Sequence, residues 1–147
     1  MLDPAGALFW PATSMLVLSD LHLEKGTAFA RKGMLLPPWD THATLDRVAN
    51  LLRRYKPAIV VTLGDSFHDA GGSGRLPPTE RSRLNAMTRA HRFIWVQGNH
   101  DPTQPEGIGG DWVTEFATGP ISFRHQAMAR ADSAEIVGHH HPKAAIP

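Results

Sequence analysis

Cysteine is absent from the 147 residues of this chain. Its absence excludes disulfides and thiolate metal sites, so any metal ligand must be a His, Asp, Glu or Asn side chain. No apolar run approaches the roughly 18–20 residues of a membrane span, and the N-terminus lacks the basic and apolar segments of a signal peptide. The formal net charge is +1, which gives no overall attraction to nucleic acid or to a membrane. We therefore expect a soluble cytoplasmic protein.

Histidine, by contrast, is abundant, with nine residues against a single tyrosine. Its imidazole is the commonest metal ligand among side chains, and it titrates near neutral pH. The length suits one domain, and the hydrophobic (41%) and charged (20%) fractions are those of a globular protein. The sequence therefore predicts a single domain, residues 1–147.

Polar side chains follow five predicted strands. Three are buried apolar runs, residues 15–18, 58–63 and 93–96, and two are the more mixed segments 121–124 and 134–137. The side chains that follow them are Asp20 with His22, Asp65, Asn99 with His100, His125, and His139 with His141. Ligands of open α/β sheets bind beyond the carboxyl ends of the strands. We therefore expect these donors to meet at one edge of a sheet.

Each of these motifs alone has a simpler interpretation. In that interpretation, residues 99–101 would form a polar turn, and Asp20 would cap a helix with His22 on the surface. His139 and His141 would be loop histidines or the remnant of a tag. The number of strand ends that carry oxygen and nitrogen donors favours a site. Seven donors suffice for two cations that share one carboxylate, and two cations roughly 3.5–4 Å apart promote in-line displacement at phosphorus.

Apolar periodicity predicts two helices that cover the sheet. The first runs from Asp40 or Thr41 to about Tyr55, and the second runs from residues 77–80 to about His91. Four shorter segments are also predicted: an edge strand at residues 8–10, a helix within residues 24–34, a flexible loop at residues 71–74 and a half-buried strand at residues 111–116.

A local basic cluster lies in the short helix and consists of Lys25, Arg31 and Lys32. A solvated charged face is the simpler interpretation. The functional interpretation is a phosphate-binding surface beside Asp20 and His22. The sequence leaves both open.

Taken together, the motifs resemble those of the calcineurin-like metallophosphoesterases. The matching residues are Asp20-x-His22, Gly64-Asp65-x-x-His68, Gly98-Asn99-His100-Asp101, His125 and Gly138-His139-x-His141. The amino-acid sequence of residues 19–26, 64–69, 95–102 and 123–125 is similar to that of the DNA ligase-associated (PdeM-type) branch of the family. The resemblance extends from about Leu8 to Pro142.

The resemblance implies an α/β fold, the four-layer αββα sandwich of that family. Family members continue beyond the Gly-His-x-His motif, whereas this chain stops at Pro147. We therefore expect a fold that lacks its last C-terminal strands. Exposed strand edges would then favour self-association into a homo-oligomer, or lower stability.

The resemblance also implies a role for each matching residue. Asp20, His22 and His141 would bind one divalent ion, and Asn99, His125 and His139 would bind a second, with Asp65 bridging the two. His100 would protonate the leaving oxygen, and Asp101 would orient its imidazole. The residues expected to contact the substrate are His68, Arg124 and Lys25.

The activity that the resemblance implies is hydrolysis of phosphodiester bonds by hydroxide attack at a two-metal centre. The expected substrate is DNA or a nucleotide-like phosphodiester, in DNA repair and in association with a DNA ligase and a helicase. Mn is the favoured metal, with Fe, Zn or Co as alternatives. The alternative functions are a binding module that has lost catalysis, and a phosphomonoesterase or cyclic phosphodiesterase acting on small molecules.

Overall fold

A computed structural model describes residues 1–37, 39–128 and 134–141 and arranges the strands in two sheets. The first sheet has six strands, in the order β1 (Leu2–Asp3), β2 (Ala7–Trp10), β3 (Met15–Leu18), β4 (Ile59–Leu63), β5 (Arg92–Val96) and β6 (Asp111–Val113). β1, β2 and β3 pair antiparallel, and β3 to β6 pair in parallel. The parallel half carries the ends of β3, β4 and β5, three of the five strand ends on which the site was predicted.

The second sheet has three strands, β7 (Phe116–Thr118), β8 (Ile121–Arg124) and β9 (Ala134–Val137). β7 and β8 form an antiparallel hairpin, while β8 and β9 run in parallel. Arg124 is in register with Val137. The segments that follow β8 and β9 therefore leave this sheet side by side.

The described residues form four α-helices, α1 (Lys25–Ala30), α2 (Asp40–Tyr55), α3 (Gly72–Arg75) and α4 (Pro78–Ala90), and α2 and α4 cover the first sheet. Leu45, Val48 and Leu52 lie on one face of α2 and pack with Leu84 of α4 against the sheet. This spacing of apolar residues is the helical period that predicted α2 and α4. Within the part of the chain that the structure describes, no helix is long and apolar enough to span a membrane.

A second apolar core fills the space between the two sheets. Along β3, Leu16 and Leu18 face the helices, whereas Met15 and Val17 face the second sheet and pack with Phe123. Both faces of the central strands are therefore buried, which explains why their sequences are continuously apolar rather than alternating. The predicted α/β class is confirmed, and the described residues supply its helical layer and its two sheet layers.

Three of the shorter predicted segments differ in the structure. The strand at residues 8–10 is not an edge, because Leu2 of β1 pairs with Leu8 on its outer side. The predicted loop at residues 71–74 is mostly the helical turn α3, held by the two hydrogen bonds that Arg75 donates to Asp69. The predicted strand at residues 111–116 divides into β6 and the start of β7, which belong to different sheets.

Candidate metal centre

The predicted ligands of both sheets meet at one edge of the first sheet. Leu63 at the end of β4 is in register with Val96 at the end of β5. The loop after β8 reaches the same level, because Nδ1 of His125 lies 2.8 Å from the carbonyl oxygen of Leu63. The loop after β9 joins them, because the backbone N–H of His139 donates to Oδ2 of Asp20 at 3.2 Å.

The backbone is left-handed at several of these ligands. Among the described residues, eight that are not glycine have positive φ, and five of the eight are predicted ligands: Asp20, His22, Asp65, His139 and His141. Each such residue costs of the order of 1 kcal/mol in backbone energy. Strain of this kind concentrates at functional sites, where surrounding contacts hold it in place.

The first donor set consists of Asp20, His22 and His141, whose ligand atoms lie within 4.8 Å of one another. Nε2 of His141 is 3.3 Å from Oδ1 of Asp20. The other carboxylate oxygen of Asp20 accepts hydrogen bonds from the Ser19 hydroxyl and from the backbone N–H of His139. Oδ1 of Asp20 and Nδ1 of His22 are buried without a hydrogen-bond partner.

The second donor set consists of Asp65, His125 and His139, with ligand atoms again within 4.8 Å of one another. Asn99 joins it, because its Oδ1 is 2.8 Å from Nε2 of His125. That same Nε2 lies 3.4 Å from Oδ2 of Asp65 and 3.2 Å from Nδ1 of His139. The two sets are adjacent, since the N–H of His22 donates to the carbonyl oxygen of Asp65 at 2.9 Å.

Both donor sets fit divalent cations. Nδ1 of His125 donates to a backbone carbonyl, so Nε2 of the neutral ring presents a lone pair to the buried Asp65 carboxylate. A cation between these acceptors would stabilise the arrangement, as it would at the unpartnered atoms of Asp20 and His22. Nitrogen and oxygen donors without sulfur suit Mn, Fe, Zn or Co.

The His100 imidazole is oriented by a backbone carbonyl. Its Nδ1 lies 2.6 Å from the carbonyl oxygen of His68, and its Nε2 lies 3.9 Å from Oδ2 of Asp65. Nδ1 therefore carries the proton of the neutral ring, and Nε2 faces the second donor set. The group that holds this imidazole is therefore the His68 carbonyl, whereas the resemblance implied Asp101.

Asp101 instead holds two loops together. Its Oδ1 accepts the backbone N–H groups of Gly98 and Asp65 at 2.9 and 3.1 Å, and its Oδ2 accepts those of Ser66 and Phe67 at 2.7 and 3.1 Å. Burial raises the pKa of Asp101, and the hydrogen bonds from Phe67, Gly98 and Ser66 act in the opposite direction. The carboxylate thus fixes the turn that presents Asp65, and it does not touch the reacting groups.

His68 was predicted to contact the substrate, and the structure places its ring among the histidines of the centre. With His22 and His100 it forms a third group of ligand atoms within 4.8 Å of one another. Burial lowers the pKa of both His22 and His68. Near pH 7 these two rings are therefore neutral, which is the form that binds a metal.

The two basic residues predicted to contact the substrate differ in their surroundings. Lys25 is exposed at the first position of α1. The Arg124 side chain is buried and forms ion pairs with Glu115 and Glu135, the latter 3.2 Å from its Nε. Because two carboxylates already neutralise this guanidinium, the pairing argues against the predicted phosphate contact by Arg124. A cavity of about 470 Å³, lined in part by Arg124, opens beside Asn99 and His125.

Sequence reasoning missed three groups, two of which orient rings of the centre. The carbonyl oxygens of Leu63 and His68 orient His125 and His100, and backbone contacts of this kind leave no mark in the sequence. The third group is the buried carboxylate of Glu24, which accepts hydrogen bonds from the hydroxyls of Thr41 and Thr27 at 2.9 and 2.8 Å. Its spacing of three residues from Thr27 was the available signal.

Comparisons with known proteins agree with this geometry. The family model for calcineurin-like phosphoesterases matches residues 13–143. The structure is similar to a crystal structure of Pseudomonas putida nuclease MPE, with a TM-score of 0.76 and 22% sequence identity over 94% of this chain. The chain spans 66% of the length of that nuclease. No curated protein sequence matches it. The match over residues 13–143 shows that the chain belongs to the calcineurin-like phosphoesterase family.

Proposed function

We propose that this chain hydrolyses phosphodiester bonds with two divalent metal ions, one in each donor set. The observation that carries the proposal is the buried carboxylate of Asp65, which faces the His125 ring of the second set and the His100 ring, while the backbone carbonyl of the same residue accepts the His22 N–H of the first set. Asp20, His22 and His141 would hold one ion. Asn99, His125 and His139 would hold the other, with Asp65 shared between them.

Bound divalent ions neutralise charge on the phosphoryl oxygens and lower the pKa of water. The residues of the chain orient the ester and move the proton. Nε2 of His100 faces the second donor set, while its Nδ1 is held by the His68 carbonyl. We infer that His100 acts in its doubly protonated form: Nδ1–H stays hydrogen-bonded to the His68 carbonyl, and Nε2–H gives its proton to the leaving oxygen. The ring of His68 lines the same space.

The finer parts of the proposal come from the family resemblance. They are a DNA substrate, a place in DNA repair with a DNA ligase and a helicase, membership of the DNA ligase-associated branch, Mn as the metal and a cytoplasmic location. Lys25, Arg31 and Lys32 supply exposed positive charge, and the charges of Lys25 and Lys32 act on the ring of His68. Arg124 is left out of the substrate contacts because its charge is paired.

Hydrolysis of bis(p-nitrophenyl) phosphate and of single-stranded DNA tests the proposal, with and without Mn²⁺. We expect Mn-dependent turnover that falls at least about 100-fold in His100→Ala and in Asp65→Ala. His140→Ala is the matched control, because His140 is exposed and belongs to none of the donor sets. Equal turnover in all four proteins would contradict the proposal.

The same assay separates the alternative functions. Cleavage of p-nitrophenyl phosphate without cleavage of the diester would assign a phosphomonoesterase. Metal binding without turnover of either ester would assign a scaffold that has lost catalysis.

A further inference from the structure

An exposed apolar segment connects α1 to α2. Among the described residues, seven large hydrophobic side chains are exposed, and four of them lie between positions 34 and 39. They are Met34 (49% exposed), Leu35 (89%), Leu36 (45%) and Trp39 (72%). We call residues 25–37 together with Trp39 the α1–α2 surface. Such a concentration of apolar side chains in water marks an interaction site.

The α1–α2 surface is held in a defined position. The N–H of Met34 donates to the carbonyl oxygen of Phe29 at 3.1 Å, and the N–H of Gly26 donates to Oδ2 of Asp40 at 3.1 Å. A Cβ on Gly26 would lie 2.7 Å from Asp40 Oδ1 and 3.4 Å from the carbonyl oxygen of Pro37. The backbone of the apolar segment therefore lies against α1 at Met34 and Pro37, and Trp39 is the N-cap residue of α2.

The charge of this surface has one sign. Lys25, Arg31 and Lys32 are exposed, and no Asp or Glu occurs from residue 25 to residue 39. The flanking carboxylates are engaged, since Glu24 is buried against threonine hydroxyls and Asp40 accepts the Gly26 N–H. Apolar and cationic side chains are therefore both exposed within this stretch, although the whole chain is nearly neutral.

This surface adjoins the metal centre. The Phe29 ring of α1 lies 5.5 Å, centroid to centroid, from the ring of His68. The His68 ring is in turn 5.3 Å from that of His22 and 5.4 Å from that of His100. A polymer lying on α1 would therefore pass directly into the donor sets.

We propose that the α1–α2 surface binds single-stranded nucleic acid, with an unpaired base stacked on Trp39 and phosphates at Lys25, Arg31 and Lys32. The proposal rests on the proposed function and names its substrate class. Single strands are bound by a cationic track together with aromatic side chains on which bases stack. A duplex keeps its base faces inside the stack, so it offers Trp39 nothing comparable.

Fluorescence anisotropy of a labelled 12-nucleotide DNA tests the inference in EDTA, where no hydrolysis interferes. We expect Trp39→Ala to weaken binding about tenfold and Trp39→Phe to retain most of it. Replacing Lys25, Arg31 and Lys32 together by Ala should reduce the slope of log K against log salt by about 2. Trp39→Ala should leave that slope unchanged.

Two matched controls separate the α1–α2 surface from general effects. Leu2→Ala removes an apolar side chain that is 86% exposed on β1, and Arg89→Ala removes an exposed cation on α4. Both should bind the oligonucleotide as the unaltered chain does. The matching duplex should bind more weakly than the single strand, and Trp39→Ala should not change its affinity.

Four results would overturn the inference. The first is unchanged oligonucleotide binding by Trp39→Ala, and the second is an equal loss of that binding in Leu2→Ala and Arg89→Ala. The third is a Trp39→Ala variant that loses binding to phosphatidylserine vesicles but keeps its binding to DNA. The fourth is a dimer of the unaltered chain that dissociates in Trp39→Ala while DNA binding persists. The third would assign a membrane surface, and the fourth an interface between copies. A chain that binds DNA but does not hydrolyse bis(p-nitrophenyl) phosphate with Mn²⁺ would contradict the proposed function and leave this inference standing.

Discussion

At the scale of single residues, Asp101 joins the turn after β4 to the turn after β5. Its two oxygens accept four backbone N–H groups, so replacing it leaves buried donors without partners. We expect Asp101→Asn to lower the free energy of unfolding by about 2–3 kcal/mol, measured by urea denaturation. Asp111→Asn, which breaks only an exposed ion pair with Arg92, should cost less than about 1 kcal/mol.

The opposite pattern would return Asp101 to its predicted place beside the His100 imidazole. The Asp101→Asn variant would then keep its stability and change only the pH profile of hydrolysis.

Gly98, in the turn after β5, also limits which residues fit where the two turns meet. A Cβ on Gly98 would collide with the backbone nitrogen and the carboxylate of Asp65, so no other residue fits there.

In the proposed two-metal centre, we expect metal binding to depend most on Asp65. We expect Mn²⁺ at about 100 times its Kd to stabilise the unaltered chain by about 2.7 kcal/mol. Asp65→Asn should lose most of this shift, because a neutral amide replaces the buried carboxylate. Thermal melts with and without Mn²⁺ measure it, and Asp46→Asn on the exposed face of α2 is the control. An undiminished shift in Asp65→Asn would place the cation elsewhere.

At the scale of elements, β1 is tied to α2 by one carboxylate. Asp3 accepts hydrogen bonds from the Tyr55 hydroxyl at 2.6 Å and from Arg54 at 3.0 Å. The hydrogen bonds from Tyr55 and Ala5, together with the positive charge of Arg54, lower the pKa of Asp3. A folded pKa below the unfolded value means that ionised Asp3 stabilises the fold above about pH 4, and this contribution is lost as the pH falls through the folded pKa.

The stability difference between the unaltered chain and Asp3→Asn should therefore shrink as the pH falls from 6 toward 3. Urea denaturation at each pH measures it. Tyr55→Phe removes the largest cause of the lowered pKa and should reduce the same pH dependence. A difference that is constant over this range would show that Asp3 acts through packing alone.

Elements with a strong apolar pattern were predictable, whereas those set by long-range pairing were not. β4, β5, α2 and α4 follow from buried runs or helical spacing. The division of residues 111–116 between two sheets depends on which neighbour each half meets, and no local pattern encodes that choice. The donors were predictable because they follow strands that end at one edge. The orientation of His100 was not, because it depends on a backbone carbonyl of a separate loop.

At the scale of the whole molecule, the donor sets connect the two sheets. Asp20 and Asp65 follow strands of the first sheet, while His125, His139 and His141 follow strands of the second. The second sheet has three strands and the first has six, so the second should depend more on these connections. We therefore expect bound metal to slow hydrogen exchange in the second sheet more than in the first. We expect EDTA to speed amide hydrogen exchange in β8 and β9 more than in β3 and β4. Equal acceleration in all four strands would indicate a general loss of stability.

The left-handed backbone of the ligands sets a limit on how this protein can be made more robust. Glycine adopts that conformation with the least strain, yet replacing Asp20 or His139 by glycine would remove a predicted metal ligand. Laboratory evolution for heat resistance in a chelating medium should therefore accumulate glycine at these positions, and the selected variants should lose hydrolytic activity. The same selection with Mn²⁺ supplied should keep them unchanged.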